Sequence, residues 1–408
     1  MRTLALPIVL CLIACQGSLA SSEGPTDGTG VAETGQPGQT DSTPQTDADS
    51  GLDSTTTSSD ETTSSDIPDA PSNAHFVLGN ARLPGGASVS IEVDEGIIVD
   101  VGAGEDTPPG VEVVDLGGGV VVPGFIDSHV HLAYHYSVEG VGQGRAALAA
   151  NGIVGVVDLA TPLPALPSYD ADRWIAAGPM ITAVSGYPTQ SWGAAGYGLE
   201  VAGADAAAAA VDQLAEAGAR VIKIPVDGGA ALNDLELTAV VQAAHRRGLR
   251  VVAHALGDAD AARAAAFDVD VLAHTPTAAL SDATVALWSD RAVISTLGAF
   301  GGSPTAVDNL RRLHAAGTTV LYGTDFGNSQ VEGIDAHELS LLAQAGLTPT
   351  EIVAAGTQIP ATFWGMQTLG ELTSGKSATL LVIDGDPADD AEIVAEPTAV
   401  WVDGQPVG

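Results

Sequence analysis

His129 and His131 stand two residues apart in the run Gly-Phe-Ile-Asp-Ser-His-Val-His, at the end of an apolar, β-branched stretch. In a strand, residues i and i+2 project to the same side, so both imidazoles can reach one metal ion. Taken alone, a His-x-His pair equally suits core packing. Four further residues change the balance. Lys223 lies inside Arg-Val-Ile-Lys-Ile-Pro-Val, His254 follows Val-Val-Ala, His274 follows Val-Leu-Ala, and Asp325 closes Val-Leu-Tyr-Gly-Thr-Asp. Each is a polar residue at or near the C-terminal end of a short apolar run. An ammonium buried among β-branched residues is costly, so Lys223 is expected to be neutral, modified or paired. A neutral lysine can add carbon dioxide to give a carbamate, whose carboxylate-like head can bridge two cations. The alternative is a lysine that carries its head to the strand end.

The elements that must position these residues follow from hydrophobic periodicity. Between residues 123 and 366, apolar strands beginning near Phe125, Ile153, Met180, Arg220, Arg250, Val269, Arg291 and Thr318 alternate with helical patterns. Examples are Ala204 to Ala217, Asp234 to Arg247 and Thr305 to Ala316, each closed by a Gly suited to a left-handed cap. Eight strands in this length predict a (β/α)8 TIM barrel, although alternation alone also permits a doubly wound sheet. Six candidate ligands at the ends of strands 1, 4, 5, 6 and 8 decide for the barrel, whose sites assemble at that face. Residues 74–122 and 367–408 read instead as short strands with tight turns, and are expected to pair into one small β-sandwich.

On these motifs the chain resembles the amidohydrolase superfamily, in its binuclear form with a carboxylated lysine, and especially its imidazolonepropionase-like and prolidase-like members. The entry Val-Val-Pro-Gly-Phe-Ile-Asp-Ser-His-Val-His and the return Gly-Glu-Leu-Thr-Ser-Gly-Lys-Ser-Ala-Thr-Leu-Leu-Val-Ile-Asp-Gly-Asp-Pro carry the likeness at either end of residues 76–408. Thr379 stands where such a return usually has Asp, in the β-sandwich and away from the ligands. The resemblance implies that His129, His131, Lys223 and Asp325 hold one metal, and Lys223, His254 and His274 the other. Nitrogen and oxygen ligands suit zinc, and also manganese, cobalt or iron. Two such ions lower the pKa of a shared water enough to give a bridging hydroxide, with Asp325 as general base and then acid. The implied activity is hydrolysis of carbon–nitrogen bonds in amides or cyclic amides. Lactone or phosphotriester hydrolysis would use the same site, and a non-enzymatic surface-binding lipoprotein is the remaining alternative.

The loops speak to substrate. Tyr187 and Trp192, in Ser-Gly-Tyr-Pro-Thr-Gln-Ser-Trp, can line a pocket or pack over the barrel, and His135 can touch substrate or decorate the rim. Arg220, Arg250 and Arg291 open strands 4, 5 and 7, at the face opposite the site, so no cation other than Lys223 falls just after a strand. A free carboxylate would want one, hence a neutral or cationic small molecule is expected. Arg145 and Arg173 are the two that could still reach in from a helix.

The net charge of −37 disfavours nucleic acid as a partner. It divides into +1 in residues 1–15, −11 in residues 16–73 and −27 in residues 74–408. Residues 16–73 hold eleven Ser, eleven Thr and eleven acidic residues, with no aromatic residue, and read as a disordered tether. Before them, Arg2 and an apolar run to Ala14 resemble an export signal, and Leu-Ile-Ala-Cys resembles a lipobox with Cys15 as the lipidated residue. The expectation is an exported protein of a bacterial cell envelope or outer surface, touching membrane only through that N-terminal anchor. Both cysteines, Cys11 and Cys15, fall in this segment, so neither a disulfide nor a Cys-based metal site is expected in the body.

Overall fold

The computed structural model describes residues 70–408, apart from 105, 106, 171 and 228. The signal segment 1–15, Cys15 and all but the last residues of the tether therefore lie outside the described residues. Among the described residues no helix is long and apolar enough to cross a membrane.

Strands from both ends of the body make one sheet. The strands β1 (His75–Arg82), β2 (Ser88–Asp94), β3 (Ile97–Ala103), β4 (Glu112–Asp115) and β5 (Val120–Pro123) are joined by β16 (Leu380–Ile383), β17 (Ala399–Val402) and β18 (Gln405–Val407). Their order is β18-β17-β16-β5-β1-β2-β3, with β4 alongside β1. The two ends meet where β16 runs antiparallel to β5, Leu381 opposite Val122. The sheet also turns back on itself. Ala378 N–H donates to Gly96 O (2.8 Å), and Ile98 N–H to Lys376 O (2.8 Å). Phe76, Leu78, Ile91, Ile98, Leu380 and Trp401 fill the space enclosed. The expected sandwich is thus one continuous sheet wrapped around its own core.

The strands of the central region are β6 (Phe125–Val130), β7 (Ile153–Asp158), β8 (Trp174–Ala176), β9 (Met180–Ala183), β10 (Gly198–Val201), β11 (Val221–Pro225), β12 (Arg250–His254), β13 (Val271–Leu272), β14 (Ala292–Ile294) and β15 (Thr319–Leu321). Parallel strands covered on both faces read as nearly unbroken apolar runs, as in the fully buried β6, β7 and β11. β11 to β15 pair in sequence order, as do β6 to β8. Arg220 N–H to Ala176 O (3.0 Å) links the two groups on one side. Ser128 N–H to Tyr322 O (2.9 Å), Asp325 N–H to His129 O (2.9 Å) and the Val130–Phe326 bridge link them on the other. Helices Ala204–Glu216, Asp234–Arg246 and Pro304–Ala315 cover the strands, with Gly218, Gly248 and Gly317 past their ends at positive φ.

The third strand departs from expectation. It begins at Trp174 rather than near Met180, pairing Trp174 with Val156, and is interrupted before β9. Pro179 has no N–H for the ladder, and Gly178 at φ 74° turns the chain there. Beyond the break, β9 pairs with β10, a strand that periodicity alone did not suggest.

Candidate metal centre

β6 carries His129 to the C-terminal face, and His131 follows at its end. Strand alternation places Asp127 on the same side as His129. Asp127 is fully buried, and its Oδ1 accepts from His129 N–H (2.9 Å) and Thr324 N–H (3.1 Å), while Oδ2 accepts from Thr324 Oγ1 (2.5 Å). One carboxylate therefore ties the backbone of the first ligand strand to the residue preceding Asp325. Burial pushes Asp127 up to about 7, against those hydrogen bonds. Asp325 itself has φ 56°, in the left-handed region, a conformation in which Asp is tolerated. A Cβ at Gly323 would come 2.4 Å from Ile294 Cγ2 and 3.2 Å from His129 Cβ, so only glycine lets this segment lie so close to the His129 strand.

His129 Nε2, His131 Nε2 and Asp325 Oδ1 converge. The two nitrogens are 3.3 Å apart, and the carboxylate oxygen is 3.4 Å from the first and 3.0 Å from the second. All three residues are buried, and among the described residues they form the one His/Asp/Glu cluster close enough to hold an ion. His129 Nδ1–H donates to Ala273 O (2.9 Å), which leaves its Nε2 lone pair free for a metal. Donors 2.0–2.2 Å from a tetrahedral zinc lie roughly 3.3–3.6 Å from one another, so this triad fits.

Lys223, in the middle of β11, is wholly buried, and Nζ has no hydrogen-bond partner. Its charge acts on His129, His254, His274 and Asp325, which puts the amine near four of the other five expected ligands. Burial lowers it to about 7, although Asp325 and Asp227 pull the other way. A large share is then the neutral amine at physiological pH, the form that reacts with carbon dioxide. His254 ends β12 and His274 follows β13 by two residues, with ring centroids 4.9 Å apart, and the His274 ring is 4.5 Å from that of His129. His274 Nδ1 is held by Thr296 Oγ1 (2.9 Å). Burial, and after it neighbouring cationic groups, keep the imidazoles of His129, His254 and His274 neutral, His254 down to about 3. For Asp325, burial is the largest influence and raises it. The imidazoles of His129 and His131, with Lys223, outweigh burial and hold it at about 2.

The depressed His254 has a measurable consequence in metal-free protein. The unfolded chain takes up a proton near pH 6.5, whereas folded His254 resists until about pH 3. Its contribution is therefore complete above pH 6.5 and is lost as pH falls toward 3. At pH 5 the loss is about 2 kcal/mol. In urea unfolding, His254→Gln is expected to lose about 2 kcal/mol less than the parent between pH 7 and 5. Parallel pH dependences would contradict this.

The third-strand loop closes one side of the mouth. Tyr187 stacks on His254 at 5.0 Å and 25°, Trp192 lies 5.2 Å from His131, and Trp192 Nε1–H donates to Tyr187 Oη (2.8 Å). Both expected aromatics thus border the ligands. His135 is exposed, its ring 4.6 Å from Phe326 rather than on the ligand cluster. Arg145 pairs with Asp170 (2.8 Å) and Arg173 with Asp403 (2.7 Å), so neither of these two reaches in.

Several site residues escaped the sequence reading. Asp127 shares the odd-numbered face of His129 and His131, a signal that was available. Asp158 ends β7 at the same level, where Leu132 N–H (2.9 Å), Ala160 N–H (3.1 Å) and the Tyr169 hydroxyl hold it, so it fixes the chain just after His131. Burial raises it to about 6. Asp227, four residues beyond Lys223, lies 3.3 Å from His254 Nε2. Thr296, Tyr134 and Phe300 carried no motif; Tyr134 packs on Trp192 (5.0 Å) and Phe300 on His274 (4.8 Å).

Comparison with known proteins agrees with this geometry. The structure of a Xaa-Pro dipeptidase with bound methionine superposes with a TM-score of 0.72 at 23% identity, covering 81% of this chain and 99% of that one. Dihydroorotase from Pelobacter propionicus is 33% identical over 88 residues, 21% of this chain and 20% of the relative. Allantoinase from Arabidopsis thaliana is 40% identical over 103 residues, 23% of this chain and 20% of the relative. The aligned stretches thus span about a fifth of these curated relatives. The model of the amidohydrolase family matches residues 120–407, from β5 through every strand that carries a candidate ligand to β18. With a TIM-barrel α/β architecture and that match across most of its length, the chain belongs to the amidohydrolase family.

Proposed function

We propose that the protein is a metal-dependent hydrolase of carbon–nitrogen bonds in amides or cyclic amides. The observation that carries this reading is the buried convergence of His129, His131 and Asp325 beside an unpartnered Lys223. His129, His131, Asp325 and Lys223 would hold one divalent ion, and Lys223, His254 and His274 the other, with zinc the expected metal and Lys223 carried as its carbamate. Such ions, when bound, supply a more acidic water and a polarised carbonyl.

The chain's own residues do the rest. Asp325, ionised down to about pH 2, can take a proton from water at the carboxylate oxygen that is not turned to the imidazoles and return it to the departing amine. His129 is prevented from rotating by its Ala273 bond. Tyr187 and Trp192 exclude water along one side and offer aromatic faces to the group next to the scissile bond. With Arg145 and Arg173 committed elsewhere and carboxylates at the mouth, a neutral or cationic substrate fits better than a free dipeptide.

The test is a metal assay on protein purified with bicarbonate, followed by a screen of blocked amides, cyclic amides, Xaa-Pro dipeptides, lactones and phosphotriesters. Turnover of blocked or cyclic amides is expected. Fast hydrolysis of Xaa-Pro dipeptides alone would overturn the substrate class, and turnover of lactones or phosphotriesters alone would overturn the reaction. Trp192→Ala is expected to raise KM about tenfold for an aromatic amide, corresponding to about 1.4 kcal/mol of lost contact, with metal content unchanged. An unaltered KM would remove Trp192 from the pocket.

The N-terminal segment extends the proposal to location. Export, lipidation at Cys15 and placement on a bacterial envelope surface are supported by the residue pattern alone. Cys15→Ser is expected to move the protein from the detergent phase to the aqueous phase in phase partitioning.

A further inference from the structure

Glu338 is fully buried on the helix Ala336–Gln344, which follows β15, and it has no part in the chemistry proposed above. Asp335 seats the start of this helix. Its Oδ1 accepts from His337 N–H (2.9 Å), and its own N–H donates to Tyr322 Oη (2.7 Å). The Glu338 carboxylate reaches back to the loop after β14, where Oε1 accepts from Leu297 N–H (3.0 Å) and Oε2 from Gly298 N–H (2.6 Å). Each oxygen thus takes one of two successive backbone donors, which suits a carboxylate. The approach is close, because a Cβ on Gly298 would stand 3.3 Å from Oε2.

What this clamp holds in place is the surroundings of His274. Thr296, just before the clamped pair, has φ 41°, a conformation that a β-branched residue keeps only where its neighbours over-determine it. On one side, Thr296 N–H donates to Gly323 O (3.1 Å); on the other, the next two N–H groups are those that Glu338 holds. So placed, Thr296 Oγ1 meets His274 Nδ1 (2.9 Å). The chain then makes a single turn, Gly298–Phe300, closed by Phe300 N–H on Leu297 O (3.2 Å), and sets the Phe300 ring 4.8 Å from that of His274. His129 is fixed by a backbone carbonyl. His274 is held instead by a hydroxyl, which rotates and can donate or accept, so the state of its ring depends on where Thr296 sits. We propose that Glu338 is a positioning residue for His274, holding the loop so that Thr296 and Phe300 fix the ring with Nδ1 protonated and Nε2 bare. This rests on the reading of His274 as a metal ligand, since a ligating Nε2 needs the ring proton on Nδ1.

The experiment is nitrogen-15 NMR of the histidine rings in metal-stripped, full-length protein, with hydrogen exchange followed over residues 296–300. Both are run at pH 8, above the value of about 7 to which burial raises Glu338. Glu338→Gln keeps the shape but has one acceptor oxygen, so one of the two N–H groups is left facing an amide NH2. Exchange at Leu297 and Gly298 is expected to quicken about tenfold or more, as for loss of a hydrogen bond to a charged group. His274 is expected to pass from one tautomer to a mixture of both, while His129, held by Ala273 O, stays as in the parent. Thr296→Val removes the hydroxyl directly, and Gly298→Ala presses on Oε2 from the loop side. Both are expected to change His274 in the same way, and they keep the proposal testable should Glu338→Gln not fold. A His274 tautomer unchanged in Glu338→Gln and Gly298→Ala would overturn the role of Glu338, whatever Thr296→Val does. Zinc added to the parent tests the underlying reading separately. A His274 Nε2 resonance that zinc does not shift would overturn His274 as a ligand, and the tautomer comparison would still decide for or against Glu338.

Discussion

Replacing Lys223 by Met is expected to lower turnover by about 10³-fold or more, roughly 4 kcal/mol of barrier, and to reduce bound metal from two ions per chain to one or none. The substitution keeps a long apolar stem in a fully buried strand position, so the circular dichroism spectrum and the urea midpoint are expected to stay near those of the parent. What it removes is the amine. Lys223 Nζ has no partner among the described residues, yet it lies within electrostatic reach of His129, His254, His274, Asp325 and Asp227. An unpaired ammonium left there would repel both metals. A neutral amine near pH 7 can instead become an anionic ligand shared by both. Carbon-13 bicarbonate should give a carbamate resonance in the parent that is missing from the variant. Full metal content together with a full rate in Lys223→Met would end the carbamate proposal.

Asp325→Asn is the second large effect, a loss of about 10³- to 10⁴-fold in kcat, at the upper end of what a positioned base contributes. Asn tolerates the left-handed conformation seen at φ 56°, and its amide oxygen can still face His131. The turn held by Asn328 N–H and Ser329 N–H on the Asp325 carbonyl should also survive. The fold and at least one ion are therefore expected to be retained while the proton acceptor is lost. Asp325 is held at about 2 in the metal-free site, so the base stays ionised at every working pH. The variant's residual rate should accordingly not recover on raising the pH from 6 to 9. Recovery at high pH, or a loss below tenfold, would assign the proton transfer to another group. Asp227 is the nearest alternative carboxylate on the His254 side.

How far the residues alone could lead varies from strand to strand. The candidate ligands stood out because each interrupts an apolar run with a residue that is expensive to bury. Lys223 did so most clearly, being one of two lysines in 408 residues. Asp127 and Asp158 interrupt apolar runs too, but a lone Asp near a strand end also reads as a turn residue, and what distinguishes them is their backbone hydrogen bonds to Thr324 and Leu132. Those partners lie 197 and 26 residues away in sequence. The third strand was misplaced because Ala-Gly-Pro-Met hides a break inside one apolar stretch, where the missing N–H of Pro179 divides a strand that hydrophobicity joins.

Residue chemistry and local periodicity by themselves singled out the parallel strand series, the side of β6 that carries both histidines, and the candidate ligands His129, His131, Lys223, His254, His274 and Asp325. These depend on the period of two along a strand and on the cost of burying charge, which act within a few residues. Only the tertiary structure decided that Asp227 faces His254, that Tyr187 and Trp192 border the ligands while His135 does not, and that Arg145 and Arg173 are spent on Asp170 and Asp403. Those outcomes depend on distances of a few ångströms between separate loops, set by how strands from distant parts of the chain are brought side by side, and no local pattern encodes that spacing.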